Sequence, residues 1–170
     1  MGIVSILMDT NKLTRIAMLS CLSFVGRMMF SFIPNVQPTT VIILIITLYF
    51  GVTEGILVSI ISIMMSNLYL GMGIWTMAQI VSYSMVVIFF YVMTKLIPVK
   101  SDIYYSMLAL VSGLVYGFFI SLVQAPFFGW NVFIPYYISG IPFDISHAVG
   151  NFLFFLILHP ALKTVLTKNI

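Results

Sequence analysis

The chain has 170 residues, of which 62% are hydrophobic and 6% charged, with a net charge of +3 and a mean hydropathy of +1.18. A soluble domain of this size cannot bury so much apolar surface, so the composition indicates an integral membrane protein. The few, dispersed basic residues exclude a nucleic-acid-binding surface. The single cysteine, Cys21, excludes a disulfide framework and a cysteine-rich metal site.

Six apolar runs are separated by proline-, glycine- and amide-containing breaks. A membrane-spanning helix needs about 20 mostly apolar residues. The predicted spans are residues 13–33, 41–50, 56–70, 76–97, 103–123 and 142–166. The second and third runs would form one helix of about 50 Å, too long for a hydrocarbon core of about 30 Å, so "GVTEG" between them is interpreted as a tight turn. The sequence therefore predicts one all-α membrane domain over residues 1–170, a bundle of six transmembrane helices.

The basic residues support six spans rather than five. With the N-terminus in the cytoplasm, six of the seven Lys and Arg residues fall at cytoplasmic ends: Lys12, Arg15, Lys95, Lys100, Lys163 and Lys168. Fusing the second and third spans would place Lys95 and Lys100 outside, against the positive-inside rule. The sequence therefore predicts that both termini are cytoplasmic.

The three predicted outer loops carry no charge but contain amides and indoles. Their sequences are "PNVQPTT", "LGMGIWT" and "QAPFFGWNVFIPYY". The polar and indole side chains that stand out are Asn35, Gln37, Trp75, Trp130 and Asn131. One interpretation is an aromatic belt at the membrane interface, to which Tyr136 and Tyr137 are suited. The other is a lid over an outward-facing ligand pocket, since such pockets combine apolar walls with a few polar groups.

Three polar residues follow one face of the last predicted span. Asp144, His147 and Asn151 are spaced i, i+3 and i+7, within about 60° of one another on a helix. This face must point into the bundle, because ionisable groups are costly against lipid. If Pro142 is the first helical residue, Asp144 caps the helix start, a role compatible with ligand binding. His147 and Asn151 either hydrogen-bond neighbouring helices or reach a ligand.

Further polar residues lie towards the outer halves of the first, third and fourth spans. Arg27 lies about 10 Å below the outer surface, where it snorkels outward, pairs with Asp144, or supplies positive charge to an anionic ligand. Asn67, Gln79 and Tyr83 either pack helices together or contact the same ligand.

Two other charged or ionisable residues receive structural interpretations, and the sequence lacks a nucleotide site. Glu54 is interpreted as a cap for the third helix, and His159 as structural. The phosphate-binding pattern G-x-x-x-x-G-K-[ST] does not occur, so we expect the chain not to use nucleotide itself. We expect no cofactor and no bound metal.

Three motifs together resemble one family. "IPNVQPTT" after the first span, "GMGIWT" after the third and "GIPFDISHAVGN" at the sixth are similar to the substrate-binding S components of energy-coupling factor (ECF) vitamin transporters. The resemblance implies a prokaryotic cell-membrane protein that captures a vitamin and is not an enzyme. It also implies docking on a module of one transmembrane coupling protein and two ATPases, with the pocket carried to the cytoplasm when the S component topples.

The resemblance also implies a docking face and a substrate. Family members often dock through Ala-x-x-x-Ala on the first helix, where this chain has Ala17 and Cys21. "PNVQPTT" and "FDISHAVGN" are most similar to pantothenate-specific members. Arg27 would then meet the carboxylate, and Gln79, Asn131 and His147 the neutral polar groups.

Several alternatives remain open at this point. One alternative substrate is another vitamin, of the cobalamin or pyridoxine type. The chain is alternatively a structural membrane subunit without a small ligand, or a membrane enzyme that uses Asp144 and His147. The enzyme is the least supported, because one histidine and one carboxylate fall short of the usual three protein ligands of a catalytic zinc.

Overall fold

The computed structural model describes residues 10–167 as six α-helices with short connections. The helices are α1 Thr10–Met29, α2 Thr39–Phe50, α3 Val52–Leu70, α4 Ile74–Leu96, α5 Asp102–Phe128 and α6 Phe133–Thr167. A 3₁₀ turn, Trp130–Val132, joins α5 to α6. The all-α prediction is confirmed. Both chain termini and Lys168, which entered the orientation argument, lie outside the described residues.

Four of these helices, α3 to α6, are long and apolar enough to cross a membrane. The chain is therefore a membrane protein. Helix α2 has only 12 residues, about 18 Å, and α1 carries Lys12, Arg15 and Arg27, which lower its hydropathy. Spanning by α1 and α2, and hence the count of six spans, stays a prediction.

Helix α2 is the core of the bundle. Its residues from Thr39 to Thr47 are all buried, because α2 packs against each of the other five helices. A helix that is apolar on all sides is stable in this central position. The predicted break after α2 is confirmed as the single residue Gly51, whose φ of +88° favours glycine and whose N–H donates to the Thr47 carbonyl.

The predicted loop "QAPFFGWNVFIPYY" is wrong, since most of it is helical. Helix α5 continues through Pro126 to Phe128, and α6 begins at Phe133. Pro126 removes a backbone N–H only two residues before the end of α5. Pro135 lies in the first turn of α6, where backbone N–H groups have no partner within the helix. Because each proline lies close to a helix end, both helices can include one. The connection between α5 and α6 is therefore only residues 129–132.

The predicted start of the last helix at Pro142 is also wrong, and so is the capping role of Asp144. Pro142 lies inside α6, nine residues after its first residue, Phe133. A proline within a membrane helix removes one hydrogen bond, which surrounding groups can compensate. Asp144 is therefore in the helix interior, where backbone N–H groups already have partners, and its carboxylate is left for another role.

Helices α5 and α6 approach closely at two glycines of α5. A Cβ atom at Gly113 would lie 2.8 Å from the Ala148 Cα, and one at Gly117 would collide with the Asp144 carboxylate. Small residues four positions apart allow this backbone approach in membranes. The glycines therefore fix where Asp144 lies relative to α5.

Basic residues gather at one end of the bundle. Arg15 binds Glu54 and lies over the Phe50 ring, with 3.8 Å between the guanidinium carbon and the ring centroid. The described basic residues of this end are Lys12, Arg15, Lys95, Lys100 and Lys163. The predicted cap by Glu54 is wrong, because its side chain makes no capping hydrogen bond and is held by Arg15 instead.

Candidate functional site

Two adjoining cavities lie towards the end of the bundle opposite the basic residues. The larger, of about 410 Å³, lies between the start of α4, α5 and α6, and its lining includes Trp75, Gly117, Ser121, Gln124, Tyr136 and Asp144. The smaller, of about 60 Å³, lies deeper, and its lining includes Arg27, Gln37, Thr40, Tyr83 and His147. Asn35, Gln79 and Tyr116 line both. The larger cavity is the wide part of this site, and the smaller, more polar cavity behind the shared walls is its narrow end.

Arg27 supplies the positive charge at the narrow end. Its Nη1 donates to the Ser66 hydroxyl at 2.7 Å, while its Nε is buried without a hydrogen-bond partner among the described residues. The predicted alternative, pairing with Asp144, does not occur in residues 10–167. Since Arg27 lines the cavity and has no carboxylate partner among the described residues, this end of the cavity favours an anion.

Thr40, in the first turn of α2, connects two walls of the narrow end. Its hydroxyl lies 2.8 Å from Nε2 of His147 and 3.2 Å from the Tyr83 hydroxyl. The Tyr116 ring completes the wall, with its centroid 4.7 Å from that of Tyr83 and edge-on to His147 at 5.2 Å. These contacts hold the polar atoms in fixed positions, as recognition of a small ligand requires.

Gln79 is oriented from outside the cavity. The Asn67 side-chain amide donates to Gln79 Oε1 at 2.7 Å and to the Thr76 hydroxyl at 3.0 Å. Because the Gln79 oxygen is occupied, its NH₂ group remains a donor at the cavity wall. Asn67 therefore acts by positioning Gln79 rather than by lining the cavity.

Asp144 brings a carboxylate to the larger cavity. Its residue is 9% exposed, and within the described part of the chain its oxygens make no hydrogen bond or ion pair. A carboxylate in such a place needs a polar partner from the cavity contents. Negative and positive groups thus face the same space, with Asp144 in the wide part and Arg27 at the narrow end.

The structure brings together seven of the ten predicted substrate residues. They are Arg27, Asn35, Gln37, Trp75, Gln79, Asp144 and His147. Trp130 and Asn131 lie on the exposed 3₁₀ turn and line neither cavity. Asn151 is fully buried, and its Nδ2 donates to the Ala109 carbonyl at 3.3 Å, so it belongs to the α5–α6 contact. The polar face of α6 is therefore divided between the cavity and helix packing.

Of the residues that line the narrow end, Thr40 and Tyr116 were not predicted, and Tyr83 had an equally good interpretation as a packing residue. Thr40 lies in the sequence "PTT", but the sequence does not show that α2 is the central helix. It therefore gave no reason to predict Thr40 rather than Thr39 as a lining residue. Tyr116 lies in a long apolar run whose only signal is the pair of small residues around it, Gly113 and Gly117.

The fold and the cavity define a small helical membrane protein with a place for a polar ligand. Residues 11–159 match the family described as "ECF transporter, substrate-specific component", and the chain belongs to this family. It is accordingly a substrate-specific membrane subunit of ECF transporters, a family of transporter components rather than enzymes. The comparisons with curated proteins and with solved structures give no significant match.

Proposed function

We propose that this subunit captures an anionic vitamin, with pantothenate as the best candidate, from outside a prokaryotic cell. The observation that carries the proposal is Arg27, whose guanidinium lines the narrow end of the cavity and has no carboxylate partner within residues 10–167. An arginine in this state is most favourably completed by a carboxylate. Vitamin binding then also orders the narrow end, since the ligand supplies the missing acceptor.

The remaining cavity groups suit the rest of pantothenate. Gln79 offers a donor for its amide oxygen, and His147 and Asp144 face space that its hydroxyls would occupy. The larger cavity, about 410 Å³, falls within the range of about 300–1,000 Å³ usual for small-molecule sites. Cobalamin is disfavoured because its corrin ring and nucleotide exceed this volume. Pyridoxine is disfavoured because it has no carboxylate for Arg27.

Calorimetric titration of the purified chain tests this choice. Pantothenate should bind, and pyridoxine and cobalamin should not. Binding of another vitamin alone would keep the subunit's role and reject pantothenate. Failure of a panel of vitamins to bind would favour the alternative of a membrane subunit without a small ligand.

We also propose that the chain is a multi-pass membrane protein with six spans and that both termini lie in the cytoplasm. Residues 1–170 then form a single domain. The five described basic residues at one end support this orientation through the positive-inside rule. In a Cys21→Ser background, cysteines introduced at Asn35, Gly71 or Asn131 should react with an impermeant thiol reagent in intact cells. A cysteine at Ser101 should not react, and its labelling from outside would reject this orientation.

We propose that the exposed face of α1 docks on the transmembrane coupling protein, which carries the two ATPases. Ala17 and Cys21 are exposed one turn apart, while Leu19 and Ser23 are buried on the opposite side. Because small residues permit close helix approach, Ala17→Trp should reduce ATP-driven uptake by the complex without changing vitamin affinity. Met107→Trp, which introduces the same side chain on the exposed face of α5, is the control. Normal uptake by Ala17→Trp would reject this face.

A further inference from the structure

A second large cavity lies at the basic end of the bundle. It has a volume of about 490 Å³ and lies between the ends of α2, α4, α5 and α6. Three lysines line it: Lys95 from α4, Lys100 from the α4–α5 connection and Lys163 from α6. None of the three takes part in an ion pair within residues 10–167. Three elements thus place positive charge around one space.

The wall of this cavity contains a connected polar group. Nε2 of His159 lies 3.0 Å from the Tyr49 hydroxyl, and its Nδ1 lies 2.9 Å from Asp102 Oδ1. The His159 ring also stacks on Phe155, with 5.1 Å between centroids. Asp102, the acidic residue of the cavity, binds His159 through Oδ1 and makes no ion pair with the three lysines, so this lining carries three positive groups and one carboxylate.

We propose that this cavity binds a phosphate group, supplied by an anionic lipid of the adjoining leaflet. Ammonium groups attract phosphate as point charges, and basic pockets at the ends of membrane helices are suited to anionic head groups. Leu48, Tyr91 and Pro98 add apolar surface to the same lining, against which the glycerol and upper acyl chain pack. A free phosphate would use the lysines but not this apolar surface, which is why the lipid is favoured.

The site is separate from the vitamin cavity and does not depend on the vitamin's identity. Its lining shares no residue with the cavities around Arg27. Under the proposed orientation it faces the cytoplasmic leaflet. A lipid phosphate here would tie together four helix ends, and would do so whether or not the vitamin site is occupied.

Native mass spectrometry of the full chain, purified with phosphatidylglycerol and phosphatidylcholine in equal amounts, tests the proposal. The chain should retain phosphatidylglycerol in preference to phosphatidylcholine. Lys95→Gln, Lys100→Gln and Lys163→Gln should each weaken this retention about fivefold, the effect expected of one basic residue near an anionic surface. Lys12→Gln is the matched control, with the same charge change at the same end but outside this cavity, and should have no effect.

Titration with inorganic phosphate distinguishes the two sources of the group. Phosphate binding that depends on the three lysines, without a preference for phosphatidylglycerol, would support the phosphate site with a soluble source. Equal retention of both lipids and no phosphate binding would overturn the proposal, as would equal losses in Lys12→Gln and the cavity variants. The three cavity variants change exposed side chains, and a thermal unfolding transition like that of the unmodified chain shows that each variant is folded.

Discussion

Two arginines at opposite ends of α1 have opposite surroundings. Arg15 donates from Nε to Glu54 Oε2 at 3.0 Å and from Nη2 to Oε1 at 2.7 Å. Arg27, twelve residues later and about 18 Å along the helix, has the Ser66 hydroxyl as a partner and a buried, unpartnered Nε. One guanidinium is satisfied by the protein itself, whereas the other is left incomplete.

The difference indicates that Arg15 stabilises the fold, whereas Arg27 is available to bind a ligand. A two-point contact between Arg15 and a carboxylate is complete and links α1 to α3. Arg27 faces a cavity that also contains His147 and Gln79. At this end of the bundle a ligand can supply the negative charge that the protein does not, which would offset the cost of burying the guanidinium.

The largest effect should come from breaking the complete pair. Arg15→Ala would leave the Glu54 carboxylate, 7% exposed, with only Lys12 at 4.0 Å. The cost in unfolding free energy should be about 3 kcal/mol, the lower end of the range for a broken buried pair, because Arg15 is partly exposed. Thermal unfolding in detergent should show the loss. Vitamin affinity should be unchanged, and a matching loss of affinity would contradict the separation of roles.

Arg27→Ala should give the reverse pattern. Loss of a charged hydrogen bond of about 1.5–3 kcal/mol would weaken vitamin binding roughly 10- to 150-fold. The ligand-free chain should lose little stability, because the lost hydrogen bond to Ser66 is offset by removal of a buried Nε that has no partner among the described residues. Calorimetry and thermal unfolding on the same preparation measure both quantities. Unchanged affinity together with strong destabilisation would show that Arg27 is structural.

His147→Ala sharpens the comparison within the cavity. It removes a side chain whose Nε2 lies 2.8 Å from the Thr40 hydroxyl. The lost hydrogen bond to Thr40 and a lost ligand contact should weaken binding roughly 5- to 30-fold, from about 1–2 kcal/mol. The measurement is a vitamin titration by calorimetry, and affinity within twofold of the unmodified chain would remove His147 from the site.

The smallest effect on affinity should come from Asn151→Ala, one turn further along α6. Asn151 makes its hydrogen bond to the Ala109 carbonyl and lines neither cavity. We therefore expect vitamin affinity within about twofold and a loss of about 1 kcal/mol in stability, the size of one hydrogen bond. The same calorimetric and unfolding measurements apply. A fall in affinity as large as that of His147→Ala would return Asn151 to the binding site.

The sequence predicted the helices well where glycines separate them. The run 76–97 corresponds to Ile74–Leu96, and the break between the second and third runs falls at Gly51, where the positive φ requires a residue such as glycine. Prolines misled the prediction at Pro126 and Pro142. A proline ends a helix only when its lost hydrogen bond and ring cannot be accommodated, which depends on neighbours that sequence does not show.

The site could be predicted where charge stands out against an apolar background. Arg27 and Asp144 are conspicuous because ionisable groups are costly in a membrane. Thr40 and Tyr116 were not found, since a hydroxyl on an apolar helix usually bonds its own backbone, as Thr47 does to Ile43. Their role follows from α2 being central, and that depends on how all six described helices pack.

Native mass spectrometry of the purified chain and of Arg27→Gln tests the central claim most directly. The unmodified chain should carry a co-purified anionic molecule with the mass of the vitamin. Arg27→Gln keeps a polar side chain but loses the charge, and should be isolated without that molecule. Retention of the same ligand at the same occupancy by both forms would contradict the claim that Arg27 holds the vitamin's anionic group.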